Sequence, residues 1–308
     1  MSHTRWLTGC LALATTTALA SCASTPTDAP TTITFAAVPA ESAMSLEQSF
    51  GHLTALLEKE TGAKVEFHNA SDYAAVIEGM RAGQIDIASL GPFSYVIAKG
   101  TGMDLNPVAA ASHAKDQAPS YTSRAYVKTG SAIQSLKQAE GHRVCLVDKA
   151  STSGYLVPLK GFMDAQIDPN TGIEQVLSGG HDAALLGLKS GNCDVAFAHD
   201  AMATTLEKSG QLRAGEIQEI WKSEPIPEDP LTVNNSTLTP QLREKITTVL
   251  REQATKPALV EAGICPSEHD CELPEETEYG YLPVDDSSFD PIRDLCTTTK
   301  AEACRGLV

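Results

Sequence analysis

The chain lacks any block of basic residues. Its 308 residues hold 23 lysines and arginines against 39 aspartates and glutamates, a net charge of −16. Binding to nucleic acid needs clustered lysine and arginine side chains that neutralise phosphates. The composition therefore argues against a nucleic-acid partner. A small anionic ligand is still compatible with it, because helix N-termini and hydroxyl groups can bind an anion without a net positive charge.

A long apolar run is also lacking: the apolar stretch near the N-terminus is short and rich in threonine, which argues against a membrane span. "MSHTRWLTGCLALATTTALASC" has Arg5, a mildly apolar middle and "LASC" ending at Cys22, which favours a signal peptide. The tetrad resembles a bacterial lipoprotein box and implies a diacylglycerol on Cys22. We expect a signal peptide over 1–21, a lipid-anchored flexible linker over 22–31, and a protein held outside the cytoplasmic membrane. The weaker alternatives are an ordinary secretory signal and a single membrane span.

Six cysteines are left once Cys10 in the signal and Cys22 at the anchor are set aside. An even number in an oxidising compartment suggests up to three disulfides. Sequence spacing favours these three pairs: Cys265–Cys271, Cys296–Cys304 and Cys145–Cys193. A metal site in "CPSEHDC" is the rival interpretation, but a fourth ligand for Cys265, His269 and Cys271 is lacking. We expect neither a metal nor a cofactor.

Short apolar segments alternate with amphipathic ones along the chain. "ITFAAVP" and "KVEFHNA" are typical of strands. Between them, "SLEQSFGHLTALLEKETG" predicts one helix that ends at Gly62 and buries one face, formed by Leu46, Phe50, Leu53 and Leu57. "SDYAAVIEGMRAG" predicts a helix capped by Ser71. Repeated strand–helix units predict an α/β fold with mostly parallel sheets, which bind ligands at the carboxyl ends of strands.

Polar side chains accumulate at those strand-to-helix junctions. "VDKASTSGYLVP" places Ser151, Thr152 and Ser153 between a strand and a helix. Helix capping is the simpler interpretation of these hydroxyls, and an anion site at a helix N-terminus is the alternative. His181 in "SGGHDAALLGL" and Asp200 in "AFAHDAMA" occupy similar junctions. Junctions at one end of a sheet converge, which favours a shared binding site.

Five blocks then match one family in order and spacing: "SDYAAVIEGMRAGQIDIASLGPFSYVIA", "STSGYLVP", "GGHDAALLGLKSGNCDVAFA", "IWKSEPIPEDPLTV" and "YLPVDDSSFDPIR". They resemble the phosphonate/phosphite-type substrate-binding proteins of ABC importers. The resemblance implies a type II periplasmic-binding-protein fold, whose two α/β lobes close on an oxyanion. We expect residues 32–122 plus 231–308 in the first lobe and 123–230 in the second. "YTSRAYVK" and "EPIPEDPLTV" would be the crossover strands of the hinge.

The same resemblance implies the ligand-binding residues. It assigns the hydroxyls to an oxyanion cradle, the tyrosines to the cleft wall, the histidine to the ligand oxygens, and the aspartates to the second crossover and a neighbouring place. The eight are Ser151, Thr152, Ser153, Tyr73, Tyr121, His181, Asp229 and Asp200. Around Tyr121, "APSYTSRAYV" stands in place of the family's usual glycine-aromatic run, which leaves the specificity for the ligand's substituent open.

The function that the resemblance implies is capture of a phosphonate-, phosphite- or phosphate-like oxyanion for an importer permease, by a monomer held at the membrane through its lipid. A sensor that signals to a membrane partner is an alternative. A serine hydrolase, with Ser151 or Ser153, His181 and Asp200 as its triad, is another. However, no G-x-S-x-G elbow surrounds either serine, so we do not expect an enzyme.

Overall fold

The computed structural model describes residues 1–3 and 32–307. Nearly all of the expected signal peptide, Cys22 and the linker lie outside the described residues. Within those residues, every helix is too short or too polar to cross a membrane.

Strands and helices alternate through most of the described chain. The strands are β1 Thr32–Ala37, β2 Lys64–His68, β3 Ile87–Ser89, β4 Leu105–Ser112, β5 Ser120–Tyr121, β6 Ser123–Lys128, β7 Arg143–Leu146, β8 Glu174–Leu177, β9 Val195–His199, β10 Ile217–Lys222, β11 Ile226–Pro227, β12 Pro230–Asn234 and β13 Gly280–Pro283. The helices are α1 Ala43–Ser49, α2 Gly51–Thr61, α3 Tyr73–Arg81, α4 Pro92–Gly100, α5 Val157–Asp164, α6 His181–Ser190, α7 Met202–Lys208, α8 Pro240–Glu252, α9 Lys256–Glu261 and α10 Asp290–Thr299.

Two main sheets share one plan. The first has the order β13-β4-β12-β3-β1-β2, and the second β10-β6-β9-β7-β8. In each, three neighbouring strands pair in parallel and a crossover strand, β12 or β6, pairs antiparallel with both of its neighbours. Most strands of each sheet therefore point in one direction, as expected for this α/β fold, and their carboxyl ends share an edge.

Two stretches of chain connect the sheets. β5 and β11 lie between them and pair antiparallel, Tyr121 opposite Ile226. The strands of the first sheet come from residues before β5 and after β11 in the sequence. All strands of the second sheet come from residues between β5 and β11. The C-terminal helix α10 packs against α4 as well as against α5. The lobe boundaries stay a prediction, because this helix contacts both lobes.

Two local expectations are wrong. The helix expected over "SLEQSFGHLTALLEKETG" is broken between α1 and α2, where Gly51 follows a Phe50 at φ −87°; glycine in a helix interior is unfavourable by about 1 kcal/mol. Gly62 ends α2 in the left-handed conformation, as expected. Helix α3 is capped by Asp72, whose side chain accepts from the Ala75 N–H at 2.8 Å, and not by Ser71.

One apolar cluster runs through both lobes. It joins Tyr73 and Phe93 beside the first sheet to Leu156 and Phe197 of the second, all 2% exposed or less. A second cluster packs α2 and α8 against the first sheet. The shared cluster indicates that the lobes lie against each other in a closed arrangement.

The structure contains the three disulfides that the spacing favours. Cys145 on β7 binds Cys193 just before β9, and the other pairs are Cys265–Cys271 and Cys296–Cys304. His52, rather than His269, lies beside the sulfurs of the Cys265–Cys271 pair, and its Nδ1 contacts the Glu272 carbonyl oxygen at 2.8 Å. The disulfide therefore uses the two thiols that the rival metal site needed.

Loop length predicts which disulfide contributes most to stability. Cys145–Cys193 spans 48 positions and Cys265–Cys271 spans 6. Replacing both cysteines of the first pair by alanine should lower the free energy of unfolding by about 4 kcal/mol, against about 2 kcal/mol for the second pair. The four sulfurs are similarly buried, so the second variant is a matched control in urea denaturation. Equal losses would contradict the loop-length explanation.

Candidate ligand-binding cleft

A cleft lies between the two lobes at the carboxyl ends of the strands. It encloses about 570 Å³, including its opening to solvent. Val38, Ser89 and Ala111 line it at the ends of β1, β3 and β4, and His199 lines it at the end of β9. This is the edge at which α/β proteins bind ligands.

The hydroxyl cradle, Ser151 to Ser153, lies in a tight turn after β7. Ser151 Oγ accepts a hydrogen bond from the Gly154 N–H at 3.1 Å, as the N-cap of a π-helical turn that leads into α5. A Cβ at Gly154 would lie 2.3 Å from Val147 Cγ2. Glycine is therefore required for the turn to pack against its own strand. All three hydroxyl residues are buried, at 1–2% exposure.

The cradle contacts the first lobe directly. Thr152 Oγ1 accepts from the Phe93 N–H at 2.9 Å, in the first turn of α4. Beside this bond, Ser94 Oγ donates to the Ala150 carbonyl oxygen at 2.9 Å. Because Thr152 Oγ1 accepts that N–H, its own O–H is left to donate to an anion. The simple capping interpretation does not cover Thr152, whose partner lies 59 positions away in sequence.

Two tyrosines flank the cradle. Tyr73 at the start of α3 is 2% exposed and Tyr121 on β5 is 7% exposed. Burial raises the pKa of both phenols, and the negative charge of Asp229 raises each pKa further. Contacts with Ser151 and Ser153 lower the pKa of Tyr73 and of Tyr121, respectively, by a smaller amount. Both phenols therefore stay protonated and can donate a hydrogen bond.

Two histidines form one corner of the site. His181 Nδ1 accepts from the backbone N–H of His199 at 3.1 Å, and the two rings meet edge to face at 4.8 Å. Burial, and then the neighbouring His199, hold the pKa of His181 well below its usual range. The neutral ring must carry its proton on Nε2, since Nδ1 accepts. His181 therefore presents an N–H donor.

The two aspartates of the expected site differ in position. Asp229 lines the cleft. Asp200 Oδ2 instead accepts from the backbone N–H of Thr122 at 3.0 Å and from its hydroxyl at 2.8 Å. Asp200 thus binds the chain where it enters β6.

Sequence reasoning missed the acidic wall of the cleft. Glu41 and Glu275 line it together with Asp229, and Glu228 is buried next to Asp229. Burial and mutual repulsion raise the pKa of Glu228 and of Asp229 well above the usual range, with Glu275 as the main charged neighbour. Among the described residues that line the cleft, none is a lysine or an arginine. Glu228 is adjacent to Asp229 in "IPEDP", but no local pattern marks Glu275.

Hydroxyl groups, protonated phenols and a neutral imidazole N–H are donors of the kind that can bind an anion. A family model described as the periplasmic substrate-binding protein of a phosphonate ABC transporter matches residues 35–264. The chain belongs to this family. The phosphate-import protein PhnD of Mycolicibacterium smegmatis is 37% identical to it over 90% of this chain and 88% of that protein.

Solved structures share the fold of this phosphonate-binding family member. A binding protein component of an ABC phosphonate transporter from Pseudomonas aeruginosa is 26% identical, with a TM-score of 0.76 over 89% of this chain and 87% of that one. PhnD1 of Prochlorococcus marinus in complex with methylphosphonate has a TM-score of 0.75 at 17% identity, over 89% of this chain and all 100% of its own. At 17% identity, the similarity to the Prochlorococcus protein supports a shared fold only. The chain is thus the substrate-binding component of an importer and has the two-lobed fold that the sequence predicts.

The acidic wall predicts how stability depends on pH. Burial has the largest effect on Glu41 and, together with the charges of Asp182, Glu275 and Glu276, raises its pKa from 4.5 to about 7. Because the folded-state pKa is the higher one, the protein loses stability as the pH rises from 4.5 through about 7. Glu41→Gln should therefore gain about 1–2 kcal/mol over the unliganded wild type at pH 8, after discounting for solvent screening, and almost nothing at pH 4.

Urea denaturation across that pH range measures the effect. The exposed Glu224 supplies the control, Glu224→Gln, which should track the wild type at every pH. A difference between Glu41→Gln and the wild type that does not change with pH would contradict the prediction.

Proposed function

We propose that this chain captures a phosphorus oxyanion in the interlobe cleft and delivers it to an ABC importer. The observation that carries the proposal is the hydroxyl cradle, which closes on the first turn of α4 through Thr152 and Phe93. Phosphate is named as the cargo of the mycobacterial relative, and methylphosphonate is bound to the Prochlorococcus protein. The ligand class is therefore phosphonate, phosphite or phosphate.

Neutral donors hold the ligand in this proposal. Ser151, Thr152 and Ser153 supply hydroxyl groups, Tyr73 and Tyr121 supply phenols, and His181 supplies the Nε2–H. Oriented donors in a water-poor site stabilise an anion without a counter-charge. Neutral donors fit a cleft with an acidic wall better than lysine or arginine side chains would.

Asp229 is proposed to select for the protonation state of the ligand. A carboxylate repels an anion unless one of the two carries a proton. Phosphate, phosphite and phosphonates can carry an acidic O–H near neutral pH, and sulfate cannot. Burial and the neighbouring Glu275 raise the pKa of Asp229. A fully ionised anion can therefore bind beside Asp229 only if the carboxylate takes up a proton, whereas a ligand O–H supplies that proton itself.

The cellular setting belongs to the same proposal. Cys22 would carry the lipid that holds a monomer at the membrane, outside the cytoplasm, beside its permease. The three disulfides support an oxidising compartment. The sensor alternative uses the same site, and a permease that gains ATPase activity with the loaded protein would favour import.

The geometry does not support the hydrolase alternative. A triad needs a carboxylate that orients the histidine base. Here the Nδ1 of His181 accepts from a backbone N–H, and Asp200 binds Thr122 instead. No hydrolysis of phosphonate or carboxylic esters is expected from the purified protein.

Removing the Thr152 hydroxyl tests the cradle. Thr152→Val keeps the shape of the side chain but loses the oxygen that accepts from Phe93 and the O–H that reaches the ligand. One lost hydrogen bond to a charged ligand costs about 1.5–3 kcal/mol, so affinity for the best ligand among phosphate, phosphite and methylphosphonate should fall roughly ten- to a hundredfold in calorimetry. Thr152→Ser is the matched control and should bind within about tenfold of the wild type. Equal binding by the valine variant would reduce the cradle to helix capping.

Sulfate tests the role of Asp229. The wild type should bind at least one of the phosphorus oxyanions and show no sulfate binding at the same concentration. Asp229→Asn replaces the repelling oxygen by an amide donor. The ratio of the affinity for the phosphorus oxyanion to the affinity for sulfate should therefore fall by at least about tenfold, which corresponds to one hydrogen bond. Calorimetry of both proteins with both classes of anion decides it. Sulfate binding by the wild type that matches its best phosphorus ligand would overturn the assignment.

A further inference from the structure

His199 ends β9 and lines the cleft, with 3% of its surface exposed. Its Nε2 atom is buried and has no hydrogen-bond partner among the residues that the structure describes. Buried polar atoms in folded proteins are nearly always paired, because an unpaired one is costly. An unpaired nitrogen in the wall of a binding cleft indicates a partner that arrives with the ligand.

The position of the ring supports a ligand contact. His199 meets His181 edge to face at 4.8 Å, and its backbone N–H fixes the Nδ1 of that ring as an acceptor. The two imidazoles therefore form one corner, at the carboxyl end of a central strand. A ligand bound by the Nε2–H of His181 would therefore lie beside the ring of His199.

Charge supports the contact as well. Among the described residues that line the cleft, His199 is the one side chain that can take a positive charge, beside the acidic Glu41, Asp229 and Glu275. An imidazole can donate an N–H to an anionic oxygen, whereas a carboxylate at this place would repel it.

We propose that His199 is a direct contact of the bound phosphorus oxyanion, made through its Nε2 atom. This inference rests on the proposed function and adds a residue to its site. His199 takes the ligand-facing place that the family resemblance assigned to its neighbour, and Asp200 secures the crossover strand through Thr122.

Two substitutions separate a ligand contact from a packing role. His199→Leu removes both ring nitrogens, and His199→Gln keeps an amide group near the place of Nε2. Neither changes the backbone N–H that orients His181, so an effect on binding is not transmitted through that bond. His68→Leu, at an exposed histidine of β2, makes the same chemical change away from the cleft.

Calorimetry at one pH with inorganic phosphate, phosphite and methylphosphonate measures the affinities. We expect His199→Leu to lose roughly ten- to a hundredfold in affinity for the best of these probes. His199→Gln should recover most of that loss, and His68→Leu should bind like the wild type. Because the leucine removes an unpaired buried nitrogen, the unliganded variant should unfold at the same urea concentration as the wild type or a higher one.

Each other result overturns the inference. Unchanged affinity of His199→Leu means that the ring does not touch the ligand. If the unliganded His199→Leu variant is less stable than the wild type, and His199→Gln loses affinity as His199→Leu does, the ring has a structural role only. A wild type that binds none of the three probes defeats the proposed function itself, and the contact falls with it.

Discussion

The hydrogen bond from the Phe93 N–H to Thr152 Oγ1 is the contact on which the site depends. It brings the turn after β7 of the second sheet against the first turn of α4, which follows β3 of the first. With the neighbouring Ser94–Ala150 bond it buries the cradle, so that the hydroxyl groups act in a medium of low dielectric, where hydrogen bonds to an anion are strong. Without that closure, the same hydroxyls would be ordinary helix caps in water.

Electrostatics explains why the site uses neutral donors. The protein carries a net charge of −16, and the described lining of the cleft adds three carboxyl groups. Such a wall disfavours a fully ionised ligand and favours one that shares a proton with it. Burial first, and then neighbouring carboxylates, raise the pKa of Glu41, Glu228 and Asp229, and Glu275 acts on all three. The proposed selectivity for a protonatable oxyanion and the expected loss of stability at high pH therefore have the same physical origin.

Local patterns in the sequence predicted the elements whose causes are local. The alternation of apolar segments predicted the sheets, and cysteine spacing predicted the disulfides. Ser151 to Ser153 and His181 stood out because each follows a strand. Asp200 and His199 share that junction, and their side chains point in different directions at the strand end, which sequence alone could not resolve. The sequence did not predict Glu275 in the cleft, because its loop lies 46 positions after Asp229 and reaches the cleft only through tertiary packing.

Closure itself limits how tightly the ligand has to bind. Three hydrogen bonds join the lobes here. Two are the bonds of the cradle, and in the third the backbone N–H of His181 donates to the Ala40 carbonyl oxygen at 2.8 Å. Lys208 on α7 and Glu276 in the loop before β13 add an ion pair near the surface, which contributes little on its own. At about 1 kcal/mol for each net hydrogen bond, these contacts supply a few kcal/mol towards the closed state. A ligand shifts the equilibrium only by its differential affinity for that state. In the proposed site this affinity would come from donors of both lobes, Tyr73 on one side and Thr152 and His181 on the other. If the proposed function holds, the closed form that a permease would recognise is therefore stabilised jointly by the protein's own contacts and by the oxyanion that bridges the lobes.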